Sequence, residues 1–197
     1  GATQSAGAIT GSALLLLGAG TFTLNSATND VDSLAADLNT GDVLFTDTDG
    51  LNITTVSSTS GITTGGPGTG GQVNIVSGGT ITVSQPVDTT LPNDATSTGA
   101  LTLNGSIQIN NTVTAGGGNI SLTGSSSSTS DIVSNFALTS GGALTLSAPR
   151  DVIINAAVQT LGANAAVTIT ADSGFQVSYS SISRFDYRRS SSGPANG

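Results

Sequence analysis

The stretch Gly99-Ala-Leu-Thr-Leu103 recurs letter for letter as Gly142-Ala-Leu-Thr-Leu146, and Gly71-Gln-Val-Asn-Ile75 repeats its pattern. Each copy begins with glycine and then alternates apolar with polar residues, which is typical of a β-strand with one buried side. A second short alternating segment follows each copy. A unit that recurs along a chain indicates a stacked architecture, in which each unit buries its apolar side against its neighbours.

The last two copies align beyond the pentapeptide. Their offset is 43 residues at the pentapeptides, 45 between 107–110 and 152–155, and 47 between 119–123 and 166–170. Offsets of this size predict two coils of about 22 residues each. We therefore predict an all-β fold, a right-handed parallel β-helix (β-solenoid). The alternative is an antiparallel β-sandwich, which also contains many short strands but gives no reason for a fixed offset.

The composition favours strands and turns. The chain has 197 residues and contains no Glu, Lys, His, Cys, Met or Trp, so several strong helix formers are missing while Thr, Val and Ile are common. Charged residues make up 8% of the chain, against about 25% in ordinary globular proteins. The segment 31–38 is the one place where we expect either a short helix or an irregular corner.

The charge divides the chain unevenly. Residues 1–172 carry −10 and residues 173–197 carry +2, for a net charge of −8. We therefore predict a β-solenoid domain over 1–172 and an Arg- and Tyr-containing tail over 173–197 that acts as an inter-subunit segment. The tail of one subunit would contact an acidic segment of the next. The residues assigned to this contact are Asp30, Asp32, Asp37, Asp42, Asp47 and Asp49 on one side and Arg184, Phe185, Tyr187, Arg188 and Arg189 on the other.

The third copy of the repeat resembles a known family. Gly-Gly-Ala-Leu-Thr-Leu-Ser-Ala-Pro-Arg-Asp-Val-Ile-Ile-Asn-Ala-Ala-Val at 141–158, followed by Ala-Val-Thr-Ile-Thr-Ala at 166–171, resembles the repeats of bacterial filamentous-haemagglutinin-like surface adhesins. The resemblance covers about residues 42–171, and the tail departs from it. It implies a long right-handed parallel β-helix that is secreted to the cell exterior.

The sequence lacks the residues that several kinds of catalysis and metal binding require. Without His, Cys, Lys or Glu there is no Ser-His-Asp triad and no imidazole-bound metal, so we expect no enzyme and no cofactor. The negative charge argues against nucleic acid, and the apolar run 13–17 is shorter than the ~20 residues of a membrane span. Asp47-Thr-Asp-Gly50 reads as a β-turn rather than a calcium loop, because a hand-type loop needs ligands where Phe45 and Val56 stand.

The sequence thus favours a secreted, non-enzymatic structural protein at the cell surface or outside the cell. We expect it to form a fibre, adhesin or matrix by head-to-tail homopolymerisation. An alternative is a monomeric adhesin module that binds carbohydrates such as surface glycans. A less favoured alternative is an ice-binding protein, because Thr-x-Thr pairs stacked on one face could order water. These pairs are irregularly spaced, which instead favours ordinary outward-facing strand residues; they begin at Thr21, Thr46, Thr80, Thr96, Thr112 and Thr168.

Overall fold

A computed structural model describes residues 1–65, 71–90 and 99–171, and the backbone of two further strands at 174–177 and 186–189. Within these residues there is no helix, and all strand pairings are parallel except one two-residue hairpin. The strands stack into a β-solenoid of about seven turns. The β-helix prediction is therefore confirmed, and the antiparallel sandwich is wrong, because strands of successive turns run in the same direction.

The described strands carry the following bounds in chain order. They are β1 (Ala2–Thr3), β2 (Thr10–Gly11), β3 (Leu14–Ala19), β4 (Phe22–Leu24), β5 (Asp30–Val31), β6 (Ser33–Thr40), β7 (Val43–Asp47), β8 (Leu51–Ile53), β9 (Thr55–Val56), β10 (Thr59–Ser60), β11 (Ile62–Thr64), β12 (Val73–Val83), β13 (Val87–Asp88), β14 (Leu101–Ile109), β15 (Val113–Ala115), β16 (Ile120–Thr123), β17 (Ile132–Ser134), β18 (Leu138–Ser140), β19 (Leu144–Ala148), β20 (Asp151–Ile154), β21 (Val158–Thr160), β22 (Val167–Ala171), β23 (Gly174–Val177) and β24 (Asp186–Arg189).

Three parallel ladders run along the solenoid, and we call them faces A, B and C. Face A stacks β1, β4, β7, the first half of β12, the first half of β14, β16, β19, β22 and β24. Face B stacks β2 on β5, and β8, the second halves of β12 and β14, β17, β20 and β23. Face C stacks β3, β6, β11, β13, β15, β18 and β21.

The core is the interior between the three faces. Along β14, β16, β19 and β22 the residues alternate between buried and half-exposed. The in-register pairing places Leu103, Leu122, Leu146 and Ile169 directly above one another, and each is fully buried. Each turn thus packs its apolar side chains against those of the adjacent turns, which is the energetic basis of a solenoid.

The glycine that opens each repeat lies at the corner between faces C and A. There the backbones of successive turns approach too closely for a side chain. A Cβ added to Gly71 would lie 1.9 Å from the carbonyl oxygen of Gly41, and one added to Gly118 would lie 2.2 Å from that of Gly99. The recurring Gly therefore marks a column of close backbone contacts, which explains the motif in steric terms.

The register confirms the meaning of the 43-residue offset. Leu101 pairs with Ile120, and Ile120 pairs with Leu144, so the two identical pentapeptides lie two turns apart. The same is true of Ile107 and Val152, which both pair with Ile132. The offset therefore spans two coils of unequal length rather than one.

The expectation for segment 31–38 was wrong, because it is neither a helix nor an irregular corner. It forms β5 and most of β6, and β6 pairs with β3 on one side and with β8 and β11 on the other. Leu34 and Leu38 are four residues apart, which suits a helix, but both lie in the solenoid interior. Backbone pairing with strands on both sides, together with burial of these leucines in the interior, outweighs the local helix preference.

The parallel pairing continues past residue 172. β23 pairs with β20, and β24 pairs with β22, with Tyr187 in register with Ile169 and Arg188 with Thr170. Part of the predicted tail thus adds backbone strands to faces A and B. The division of the chain at residue 172 stays a prediction.

Candidate functional site

The six acidic residues assigned to a subunit contact lie on different sides of the solenoid. Asp30 and Asp49 are exposed where face A turns into face B, and Asp32 is exposed on face B, where its carbonyl accepts from the N–H of Asn52. Asp37 is exposed on face C, where it pairs with Thr63. The structure therefore brings some of the acidic residues together but does not form one acidic surface from all six.

Asp42 links three turns at the corner between faces C and A. Its backbone N–H donates to the Thr21 hydroxyl at 3.2 Å, and that hydroxyl donates to one oxygen of the Asp42 carboxylate. The other carboxylate oxygen accepts from the N–H of Gln72 at 2.8 Å. These contacts give Asp42 a structural role between neighbouring turns.

Asp47 is the buried member of the acidic set. It is 2% exposed, and its carboxylate accepts from the N–H of Val31 at 3.0 Å and from the N–H of Asp49 at 3.3 Å. Burial raises the pKa of Asp47, the two backbone hydrogen bonds oppose the rise, and the negative charges of Asp49 and Asp30 add to it. Both carboxylate oxygens of Asp47 therefore accept hydrogen bonds from backbone N–H groups, in keeping with the turn interpretation of 47–50.

Asn29 carries a buried side-chain amide that belongs to none of the sequence motifs. Its Oδ1 accepts from Gln4 Nε2 at 2.7 Å and from the N–H of Ile9 at 2.9 Å. Its Nδ2 donates to the carbonyls of Leu24 at 3.0 Å and Thr46 at 3.1 Å, and also lies 3.2 Å from Gln4 Oε1. One side chain thus joins the first three turns. Its partners lie up to 25 residues away, so no local pattern marks it.

An exposed asparagine ladder follows face B. Asn135 Nδ2 donates to Asn110 Oδ1 at 2.9 Å, and Asn155 Nδ2 donates to Asn135 Oδ1 at 2.8 Å. Each asparagine follows the last face B residue of its turn, so the amides stack as the turns do. Stacked amides are a feature of in-register parallel strands, and they report the register independently of the core.

Within the described residues, an ion pair connects two neighbouring turns. Arg150 Nε donates to Asp131 Oδ1 at 2.6 Å, and its Nη2 contacts the other oxygen, while Asp151 lies 3.7 Å away. The hydrogen bond from Arg150 lowers the pKa of Asp131. This arginine is thus engaged within the solenoid.

The basic half of the predicted contact is only partly described. Arg184 and Phe185 lie outside the described residues. Tyr187, Arg188 and Arg189 belong to β24, whose backbone pairs with β22 on face A. The predicted contact between these residues and the acidic residues of a neighbouring subunit stays a prediction.

Within the described residues, the strands of the first turn pair on one side only on all three faces. Within the described residues β1 pairs only with β4, β2 only with β5, and β3 only with β6. Leu17 in β3 is 54% exposed, and Ile9 and Leu14 are only partly buried against the core. This end of the solenoid therefore combines unpaired backbone with apolar side chains, and we call it the N-terminal edge.

A polar cleft of about 260 Å³ lies where face A turns into face B. It is lined by Gly78, Gly79 and Thr80 together with Ser106 and the serine-rich loop from Ser125 to Ser130. Hydroxyls in the loop are bonded to one another, as in the pair Ser127 and Thr129 at 2.8 Å. The cleft contains no titratable side chain.

The part of the chain that the structure describes holds no group of three or more His, Cys, Asp or Glu placed to bind a metal ion. The same residues contain no helix of the length and hydrophobicity that a bilayer crossing requires. No protein-family model, no curated protein and no solved structure matches the chain. What the geometry defines is the class of protein, a parallel β-solenoid repeat protein.

Proposed function

We propose that this chain is a secreted, non-enzymatic structural protein that forms an extracellular fibre, adhesin or matrix by head-to-tail stacking of solenoids. The observation that carries the proposal is the N-terminal edge, where the first described strands of faces A, B and C each pair on one side only. An uncovered strand edge is a template for a further strand. Here three such templates lie side by side at one end of a rod.

The available backbone groups follow from the hydrogen bonds of the first turn. Ala2 and Gln4 donate their N–H groups to Thr21 and Thr23 of the second turn. Alternation along a parallel strand then directs the N–H and C=O of Thr3 away from the second turn, toward the open edge. Face A therefore offers one residue's donor and acceptor to an incoming strand.

Faces B and C repeat this arrangement. The carbonyls of Ile9 and Gly11 accept from the second turn, so the N–H and C=O of Thr10 are directed outward. On face C, Leu17 exposes an apolar side chain beside such an edge. An incoming turn with the same in-register strands would pair these groups and bury the leucine, which makes a second copy of the solenoid the best-fitting occupant.

Such a contact joins two different ends of the same molecule. A contact of that kind is heterologous, and it propagates as a filament unless it closes into a ring. The growing edge stays identical after each addition, because every added solenoid again presents its own open end. The surface location and extracellular fibre proposed here rest on this polymerising geometry together with the resemblance to surface adhesins.

Negative-stain electron microscopy and sedimentation velocity of the purified chain test the proposal over a concentration series. We expect filaments whose mass grows with concentration. A double variant, Thr3→Pro and Leu17→Lys, should remain folded but lose the filaments, because proline removes the outward N–H and lysine blocks the edge. Phe136→Lys is the matched control, since Phe136 is 46% exposed and lies several turns away from the N-terminal edge, after β17, and it should leave the filaments intact.

Two results would count against head-to-tail assembly. Isolated short rods of the wild-type chain at every concentration would instead support the alternative, a monomeric adhesin module that binds surface glycans. Filaments that persist unchanged in the edge variant would show that polymerisation uses another surface. Circular dichroism of each variant separates loss of assembly from loss of fold.

A further inference from the structure

Face A carries a two-rank array of small polar side chains over four consecutive turns. The strand register aligns one outward residue from each turn in the first rank and the outward residue two positions later in the second. We call these eight residues the face A array: they are Thr102, Ser121, Thr145 and Thr168 in the first rank and Asn104, Thr123, Ser147 and Thr170 in the second.

The side chains of the face A array are available to solvent. All eight are half-exposed and alternate with fully buried apolar residues such as Leu103 and Leu122. None of the eight makes a side-chain hydrogen bond within the described part of the chain. Their seven hydroxyls and one amide therefore face water with their hydrogen-bonding capacity unused.

The spacing of the array is regular in both directions. Neighbouring strands in a sheet lie about 4.8 Å apart, and residues two positions apart along a strand lie about 6.6 Å apart. The three pairings that connect the four strands contain no register shift. The seven hydroxyls thus repeat in two directions, at spacings comparable to those of oxygen atoms on several planes of ice.

We propose that the face A array binds ice, with ordered water as the ligand. Threonine presents a hydroxyl beside a methyl group, so it can both hydrogen-bond a water layer and restrict the orientation of the water above it. The four strands themselves contain no charged residue, and the array ends at β24, where Asp186 and Arg188 are in register with Thr168 and Thr170. A strongly hydrated charge, which would interrupt an ice-like layer, is therefore missing from the array.

The other two faces lack this regularity. The outward rank of face C includes Asp37 and Asp88 among its threonines. The outward rank of face B changes from Thr82 and Gln108 to Val133 and Ile153. The property therefore belongs to one face, and it does not depend on head-to-tail assembly.

Sequence pairs alone did not reveal the array. Of the Thr-x-Thr pairs, only the one at Thr168 lies within it. The pair at Thr80 belongs to face B, the pair at Thr112 leads into face C, and the pair at Thr96 lies outside the described residues. The array also uses Ser and Asn, so it appears only when the register superposes strands whose separation along the chain varies.

Ice-recrystallisation inhibition and thermal hysteresis of the purified chain test the proposal. The wild-type protein should slow ice-grain growth and shape single ice crystals. The double variant Ser121→Tyr and Thr145→Tyr should show no more of either effect than buffer alone. Its two aromatic rings would project from the centre of the array and keep ice from contacting the neighbouring hydroxyls. The matched control, Thr114→Tyr and Thr139→Tyr, places the same rings on face C and should retain wild-type activity.

The outcomes separate the possibilities. Wild-type protein without hysteresis or grain-growth inhibition at millimolar concentration would overturn the proposal. Equal loss of activity in the array and control variants, with both folded by circular dichroism, would also overturn it, since the effect would then not belong to face A. Activity in the wild type and in the control variant, with none in the array variant, supports ice binding by the array.

Discussion

Replacing Asn29 by alanine should loosen the first turn of the solenoid. The change removes the amide that accepts from the N–H of Ile9 and donates to the carbonyls of Leu24 and Thr46. It also removes the contact that positions Gln4. Asn29 is completely buried, so water cannot directly replace the lost partner without rearrangement of the turn.

The size of the effect follows from the number of groups left without a partner. A typical hydrogen bond contributes about 1 kcal/mol net, and a buried polar group left unsatisfied costs about 1–3 kcal/mol. Ile9 and Thr46 are only partly buried, which places their costs at the lower end of that range. We therefore expect Asn29→Ala to lower the free energy of unfolding by about 3 kcal/mol.

Urea unfolding gives the free-energy change, and amide hydrogen exchange locates it. Exchange should accelerate most at Ile9 and Asp30, whose N–H groups lie in the contact between the first two turns. The control is Asn25→Ala, since Asn25 is exposed and should change stability by no more than about 0.5 kcal/mol. A loss in Asn29→Ala no larger than in this control would refute the assigned role.

Two further predictions concern backbone approach and pH. Gly118→Ala should lower stability by about 2 kcal/mol, the range for overpacking, because its Cβ would collide with Gly99. Gly11→Ala, where a Cβ meets nothing within 4 Å, should be tolerated in the same urea titration, and equal losses would contradict the glycine column. Because burial raises the pKa of Asp47, the folded state binds that proton more tightly than the unfolded chain. The contribution of Asp47 to stability therefore falls as the pH rises through the raised pKa. The stability of Asp47→Asn relative to wild type should therefore increase as the pH rises above about 4, the ordinary pKa of aspartate, and a pH-independent difference between the two proteins would argue against the raised pKa.

The fold was largely predictable because its signal is distributed over many residues. Alternation of apolar and polar residues predicts strands, and the offset of 43 residues between Leu101 and Leu144 predicts two coils. Both features survive loops of unequal length, since only the buried positions must coincide. The opening glycine was a reliable marker for a steric reason, namely the close approach of Gly118 to Gly99.

The surfaces were much less predictable. Asp30 and Asp49 are separated by about one turn of chain, so residues between them pass around all three faces, and Asp37 ends on a different side. Where a corner falls depends on loops of variable length, which a local pattern does not fix. The segment 31–38 was misjudged for a related reason, because Leu34 and Leu38 satisfy a helical spacing and a solenoid interior equally well.

Side-chain contacts and alignments between turns could not be predicted from the sequence. Asn29 joins residues from three turns, and the face A array depends on strands separated by 19 to 24 residues. Neither has a fixed spacing in the sequence. Both became visible only from the register, which converts separation along the chain into position on a face.

Diffraction from the assembled protein tests the central claim most directly, because it reports both the stacking and its continuation between molecules. Strands perpendicular to the rod should give a reflection near 4.8 Å along the filament axis, in filaments many times longer than one solenoid of about seven turns. Cryo-electron microscopy of the same specimen would show the turns in continuous register across each junction. Isolated rods of one solenoid length, or filaments with strands parallel to the axis, would contradict head-to-tail stacking.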